Sequence, residues 1–264
     1  MAIFKYEMRQ LRSHTLWWAI SISVALVLFM PAYINMLTSG SVNAGAVMDN
    51  GFFEMLGADA AIISTPLGAF GYVNSFFTIA AGINGMFLGL RIFTKETIQK
   101  TAEYIYTKPY KRSSIFSAKV LTAVLSSLAI GVVYYAVSVL SALLVIGESF
   151  DLKSITLIAL SFIFIELFFV LFGACVGSIY SKIRTPLLAS TGVVFMFYIF
   201  SAYASKVNVE AIKLITPFSY FGASKIVNSG GYNATYITAL IVLCAAFAII
   251  GFGAFVKKDI TFIS

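Results

Sequence analysis

RIFTKETIQKTAEYIYTKPYKRSSIFSAK, residues 91–119, lies between two apolar runs that are each long enough to cross a bilayer. The segment holds seven basic and two acidic residues, and charge almost disappears on either side of it. The same alternation repeats along the chain. A spanning helix needs about 20 mostly apolar residues, and six runs qualify: 15–37, 68–93, 116–146, 154–181, 185–204 and 234–256. The third and fourth are longer than a bilayer requires and are expected to tilt or to project into water. Composition agrees, with 60% hydrophobic and 11% charged residues, whereas a soluble domain carries about 25% charged residues. The expectation is an all-α membrane protein of six transmembrane helices, built as one membrane domain over 1–264.

Basic residues set the direction. With both chain ends inside, the cytoplasmic segments hold 14 of the 18 Lys and Arg residues, and the positive-inside rule selects that topology. The first outer connection holds Asp49, Glu54 and Asp59 and no basic residue. The same bias accounts for the net charge of +7, so no nucleic-acid partner is invoked. The N-terminus is expected to be a spanning run with a basic flank and not a cleavable signal, because the run is too long for one.

Two segments outside the runs have helical periodicity. Near the N-terminus, Phe4, Met8 and Leu11 share one face, and Lys5, Arg9 and Arg12 a neighbouring one. This stretch is either an interfacial helix in the headgroup layer, with Trp17 and Trp18 marking the boundary, or an ordinary basic flank. In the opening segment, Thr94 is a plausible N-cap and Glu96 places a negative charge in the first turn. Ile98, Ala102 and Ile105 form an apolar stripe beside polar Lys95, Lys100 and Glu103. Pro109 ends the helix, because the residue before a proline avoids helical geometry. A short amphipathic helix here suits a docking partner; a solvated loop is the alternative.

Within the runs, Glu166 is the one deep acidic residue. A carboxyl in hydrocarbon must face another helix or a wet cavity, or be protonated. Its helical neighbours Phe162, Ile163, Phe169 and Val170 are apolar, so a partner must come from another span, with Asn84, Tyr134 and Tyr135 as possible donors. Glu166 and Asn84 are thus candidates for a pathway or a latch, or for a plain helix–helix hydrogen bond. Gly82, Gly85 and Gly89 share one face of the second run, and Gly173 and Gly177 form a G-x-x-x-G in the fourth. Small residues permit close packing, although a hinge fits the same pattern. Residues 205–233 are too short for another pair of spans and are expected to form short outer helices dipping around Pro217. Asn233-Ala234-Thr235 matches a glycosylation sequon close to the membrane.

Several chemistries lack their residues. No G-x-x-x-x-G-K-[S/T] phosphate loop occurs, so ATP hydrolysis is not expected on this chain. The single histidine, His14, is expected at the membrane edge as an interfacial polar residue. Neither H-E-x-x-H nor G-x-S-x-G is present, and Cys175 and Cys244 lie inside apolar runs as small apolar side chains. No metal or catalytic site is expected.

Gly89, Leu90, Arg91, Glu96, Thr97, Thr101, Glu103, Pro109, Arg112, Ile115 and Lys119 follow an order that resembles the cytoplasmic loop of type-2 ATP-binding-cassette (ABC) transporter permeases. The likeness begins at Gly71-Tyr72-Val73-Asn74 and includes the outer segment Ile215-Thr216-Pro217-Phe218-Ser219-Tyr220-Phe221 and the ending Phe255-Val256-Lys257-Lys258-Asp259-Ile260. The family often has a glycine before the loop threonine, where this chain has Gln99-Lys100 ahead of Thr101. The resemblance implies a coupling helix in which Glu96, Thr97, Thr101, Glu103, Ile105, Pro109 and Arg112 dock a cytoplasmic nucleotide-binding ATPase subunit. It also implies an N-terminal elbow helix, short re-entrant outer helices capping the exit, and a second permease chain, identical or not. ATP and Mg would be held by the partner ATPase and not by this chain. The resemblance alone implies export across a plasma membrane, and a bacterial one. Apolar peptides, drugs or lipids would suit a pathway in a chain with 25 phenylalanines. The competing roles are an ABC-like subunit that transmits force without its own substrate, a proton-coupled secondary transporter using Glu166, and an intramembrane enzyme.

Overall fold

The computed structural model describes residues 2–38, 65–99, 110–146, 151–207 and 210–257. Six long helices account for most of them: α1 (Ala2–Thr38), α2 (Pro66–Ile98), α3 (Arg112–Ile146), α4 (Leu152–Ile179), α5 (Pro186–Val207) and α8 (Ala234–Lys257). All six are long and apolar enough to cross a membrane. Between α5 and α8 lie two short helices, α6 (Glu210–Lys213) and α7 (Ala223–Ser229), with a 3-10 turn at Pro217–Ser219. No strand occurs among the described residues.

Local chemistry sets the ends. Thr65 accepts the backbone N–H of Gly68 at 3.1 Å, and Pro66 occupies the first helical position of α2, where its missing N–H costs nothing. Asp151 caps α4 through Lys153 N at 3.1 Å. Gly230 stops α7 in a left-handed conformation, φ 65°, and its N–H returns to Ile226 O. Asn233 accepts the Thr235 N–H at 2.9 Å, so the sequon asparagine secures the start of α8.

α2 and α4 form the centre of the bundle and run parallel, and α1 packs chiefly on α3. The α2–α4 seam is made of glycine. A methyl group on Gly85 would stand 2.3 Å from Glu166 O, one on Gly89 2.2 Å from Val170 O, and one on Gly173 2.5 Å from Met86 O. Gly177 faces Leu90 O, and Gly82 faces Val194 and Phe169. All five glycines therefore bring helices of the same chain together. The surrounding core is aromatic: Phe162 stacks on Tyr134 with centroids 4.0 Å apart, and Phe168 meets Phe197 and Phe247. Leu16, Trp17, Ile20, Val24 and Leu28 of α1 are exposed, as a lipid-facing surface requires.

Three expectations are corrected. The N-terminal stretch is the beginning of α1 and not a separate elbow helix; no glycine or proline interrupts residues 2–30, and Glu7 is drawn into the bundle instead of lying on a surface. The second span continues to Ile98, so Thr94 is not an N-cap: its hydroxyl donates to Leu90 O within α2 at 2.9 Å. Glu96 accordingly belongs to the last turn of α2 and not to the first turn of a new helix, held there by Lys119. His14 is not an edge residue, because it reaches a buried asparagine in the middle of α2.

Candidate functional site

Two buried polar centres lie along the seam where α1, α2, α3 and α4 meet. The first is at the end of the bundle where α1 begins and α8 finishes. Lys95 of α2 donates to Glu7 and Gln10 of α1. Lys119 of α3 donates to Glu7 Oε1 at 2.9 Å, to Ile92 O at 2.8 Å, and to Glu96 of α2. Lys95 and Glu96 are 4.0 Å apart. The side chains of Glu7 and Lys119 are only 1% and 2% exposed. Two lysines thus face two glutamates, and every charge has an opposite partner. The Phe93 ring lies under the Lys119 ammonium, 5.9 Å to its centroid, and Tyr6 under that of Lys95 at 5.8 Å.

This quartet fastens the N-terminal helix to both flanks of residues 100–109. Glu96 precedes that segment and Lys119 follows it. Nearby, Arg112 Nη1 donates to Val256 O at 3.2 Å, and Phe116 packs on Phe252 and Phe255, tying α3 to the end of α8. Of the expected docking residues, Glu96 is buried in the quartet, Thr97 is half-buried in the last turn of α2, and Arg112 opens α3. Thr101, Glu103, Ile105 and Pro109 lie outside the described residues.

The second centre sits deeper. Asn84 Nδ2 donates to Glu166 Oε1 at 2.6 Å, and Asn84 Oδ1 is 2.9 Å from His14 Nε2. An amide oxygen only accepts, so the His14 nitrogen is the donor. The chain His14–Asn84–Glu166 joins α1, α2 and α4. His14 stacks on Trp18 and packs against a tilted Phe87 ring. Glu166 is fully buried, and its Oε2 has no hydrogen-bond partner among the described residues. The Ser127 hydroxyl of α3 faces the carboxyl without reaching hydrogen-bond geometry, and it too is buried and unpartnered. The tyrosines are engaged elsewhere: Tyr134 donates to Asn74 Oδ1 at 2.7 Å, and Tyr135 pairs with Thr156.

At the opposite end of the bundle, the short helices fold onto the spans. Phe218 packs on Phe169 and Tyr198, Phe221 stacks on Phe164, and Ala223 Cβ would stand 2.2 Å from a methyl on Gly71. Lys213 donates to Glu210 at 3.0 Å and holds that carboxyl below the usual carboxylate range. Burial pushes the Lys225 ammonium down, helped by the charge of Lys213, and burial also pushes the Tyr220 hydroxyl up to about 12.

Sequence reasoning missed Glu7, Lys95, Lys119 and His14 as interior groups. Two signals were available: Glu7 is the one acid in a basic N-terminal stretch, and Lys119 lies past the start of an apolar run. Both oddities suit buried partners better than a solvated flank.

The comparisons with known proteins agree with this architecture. A family model described as "ABC-2 family transporter protein" matches residues 1–260. An uncharacterized membrane protein of Bacillus subtilis (strain 168), YdbK, is 22% identical over 180 residues, covering 64% of this chain and 73% of that protein.

Proposed function

Because the chain belongs to the ABC-2 family of transporter membrane proteins, we propose that it is the permease subunit of an exporter driven by ATP hydrolysis on a separate chain. The observation that carries this reading is the quartet at the end where α1 begins. Glu7, Lys95, Glu96 and Lys119 brace both flanks of residues 100–109 against the N-terminal helix. A load applied to that segment is therefore borne by three spans at once. Such bracing suits a segment against which another protein pushes, and a solvated connection has no use for it.

In this reading the quartet end is cytoplasmic and both chain ends face inward. Residues 100–109, with Glu96, Thr97 and Arg112 on their flanks, seat the nucleotide-binding subunit, which supplies ATP and Mg. Binding of ATP favours one arrangement of the complex over another by its differential affinity, and the braced segment passes that preference to α1, α2 and α3. A second permease chain completes the pathway, in the plasma membrane. The short helices α6 and α7 cap its outer end.

The test is a mild-detergent pull-down of the tagged chain with its native ATPase candidates co-expressed. A stoichiometric subunit bearing a phosphate loop is expected, and Glu103→Lys with Ile105→Asp is expected to abolish its capture while membrane insertion persists. Undiminished capture by that double variant would overturn the docking role of the segment, and a lone chain across several detergents would overturn the ABC coupling.

A further inference from the structure

We propose that Glu166 is a proton-binding site: its carboxyl carries a proton while α2 and α4 are packed together, and releases it when their seam admits water. The proposal stands apart from the docking of any ATPase, and rests on how the two oxygens of this carboxyl are surrounded.

Oε1 is satisfied by Asn84 Nδ2 at 2.6 Å. Oε2 is buried with nothing donating to it among the described residues. A carboxylate has only lone pairs to offer at that position, and the unmade hydrogen bond of a buried anion is costly. The group it faces is the Ser127 hydroxyl, itself unpartnered, which can donate to a carboxylate or accept from an acid O–H. Ser127 suits either form, so the choice between them falls to burial and charge.

Among the described residues, no cation balances the ionised form. From α1 the group facing this site is His14, which reaches it only through Asn84. From α2 it is Asn84; Arg91 lies nearly two turns further on and packs over Phe87. From α3 they are Ser127 and Tyr134, whose hydroxyl is committed to Asn74; Lys119 is committed to the quartet. In α4 itself the other charged residue, Lys153, is in the first turn. α5 and α8 have their single charged residues, Lys206 and Lys257, in their last turns.

The site is also placed to sense movement. Glu166 O is the atom that a methyl on Gly85 would strike, so this turn of α4 lies at one of the closest approaches to α2. Parting the helices there wets the carboxyl. The Oε2–H bond then breaks, its electron pair stays on oxygen, and the proton passes to the entering water. Repacking the seam requires the reverse, so proton uptake accompanies closure.

The experiment is infrared spectroscopy of the protein at neutral pH in nanodiscs of ether-linked lipid, which has no ester carbonyl to mask an acid band. There the solvated and ion-paired carboxyls are ionised and give only carboxylate bands. The expected spectrum has one additional C=O stretch of a protonated acid, lost on Glu166→Gln. Should that variant fail to fold, Glu166→Asp, which keeps the acid at shorter reach, is expected to shift the band. A wild-type spectrum without an acid band overturns the proposal. So does a band that survives Glu166→Gln, or one that Glu166→Asp leaves unmoved.

Discussion

At the end where α1 begins, Glu7 and Glu96 meet Lys95 and Lys119; further along the same seam, Glu166 meets one amide and a silent hydroxyl. The helices are shared, and the burial is comparable. The difference is charge balance. Four charges that cancel can stay ionised away from water, because each is held by an opposite charge and by hydrogen bonds. A single acid without a cation has no such option, and its protonation state becomes tied to how tightly its helices close. A balanced cluster makes a fixed joint, whereas an unbalanced acid can make a joint that responds.

Removing one partner from the balanced centre is the most damaging way to break this comparison. Lys119→Met keeps the length of the side chain and deletes the ammonium that serves Glu7, Glu96 and the Ile92 carbonyl. Two buried carboxylates are left sharing Lys95. The expected loss is about 3–5 kcal/mol, measured by denaturant unfolding in micelles, and it should vary little with salt because the pair is shielded from solvent ions. The same measurement on Glu166→Gln should give a change below about 1 kcal/mol, because the amide imitates a neutral acid and no ion pair is lost. Equal losses at the two sites would erase the distinction.

The second prediction concerns the packing that holds both centres in line. A methyl at Gly85 meets a backbone oxygen at 2.3 Å, whereas one at Gly253 of α8 finds no atom within 4 Å. Backbone cannot swing aside as a side chain can. Gly85→Ala should therefore cost about 1–3 kcal/mol by overpacking, and Gly253→Ala should be neutral or slightly stabilising, since alanine is the better helix former by up to about 1 kcal/mol. Thermal unfolding of the two variants side by side decides it; similar midpoints would mean that α2 and α4 are not in close contact along this seam.

The sequence made the spans legible because length and apolarity are enforced by the lipid along an entire helix. The glycine rows of α2 and α4 were legible for the same reason of regular spacing, and Glu166 stood out as a deep acid. What could not be read was the pairing. Asn84, Tyr134 and Tyr135 were equal donors on paper, and only the parallel register of α2 on α4 brings Asn84 to the carboxyl. The quartet was hidden for another reason. Lys95 and Glu96 look like solvated loop residues as long as the second span is taken to end at Phe93; ion pairing with Glu7 and Lys119 lets the helix continue as far as Ile98. Charge that is balanced by partners distant in sequence leaves only a faint local trace, here the lone acid Glu7 in a basic stretch and Lys119 past the start of an apolar run.

The half-exposed ion pair at the opposite end, whose carboxylate stands in solvent, sharpens the contrast from the other side. Glu210 is 68% exposed, and its partner Lys213 is 8% exposed. The lysine's hydrogen bond holds the carboxyl below its usual value of 4.5, so any stability it adds is present above that value in the unfolded chain and is lost as pH falls through the lower value of the folded state. Glu210→Gln should therefore lower the melting midpoint only slightly at neutral pH. The difference should shrink with added salt, since solvent ions screen an exposed pair, and it should vanish in acid, where wild type has lost the same charge. Lys119→Met should behave in the opposite way toward salt. If the Glu210 variant proved as damaging and as salt-insensitive as the Lys119 variant, burial would not be what separates a structural ion pair from an incidental one in this protein.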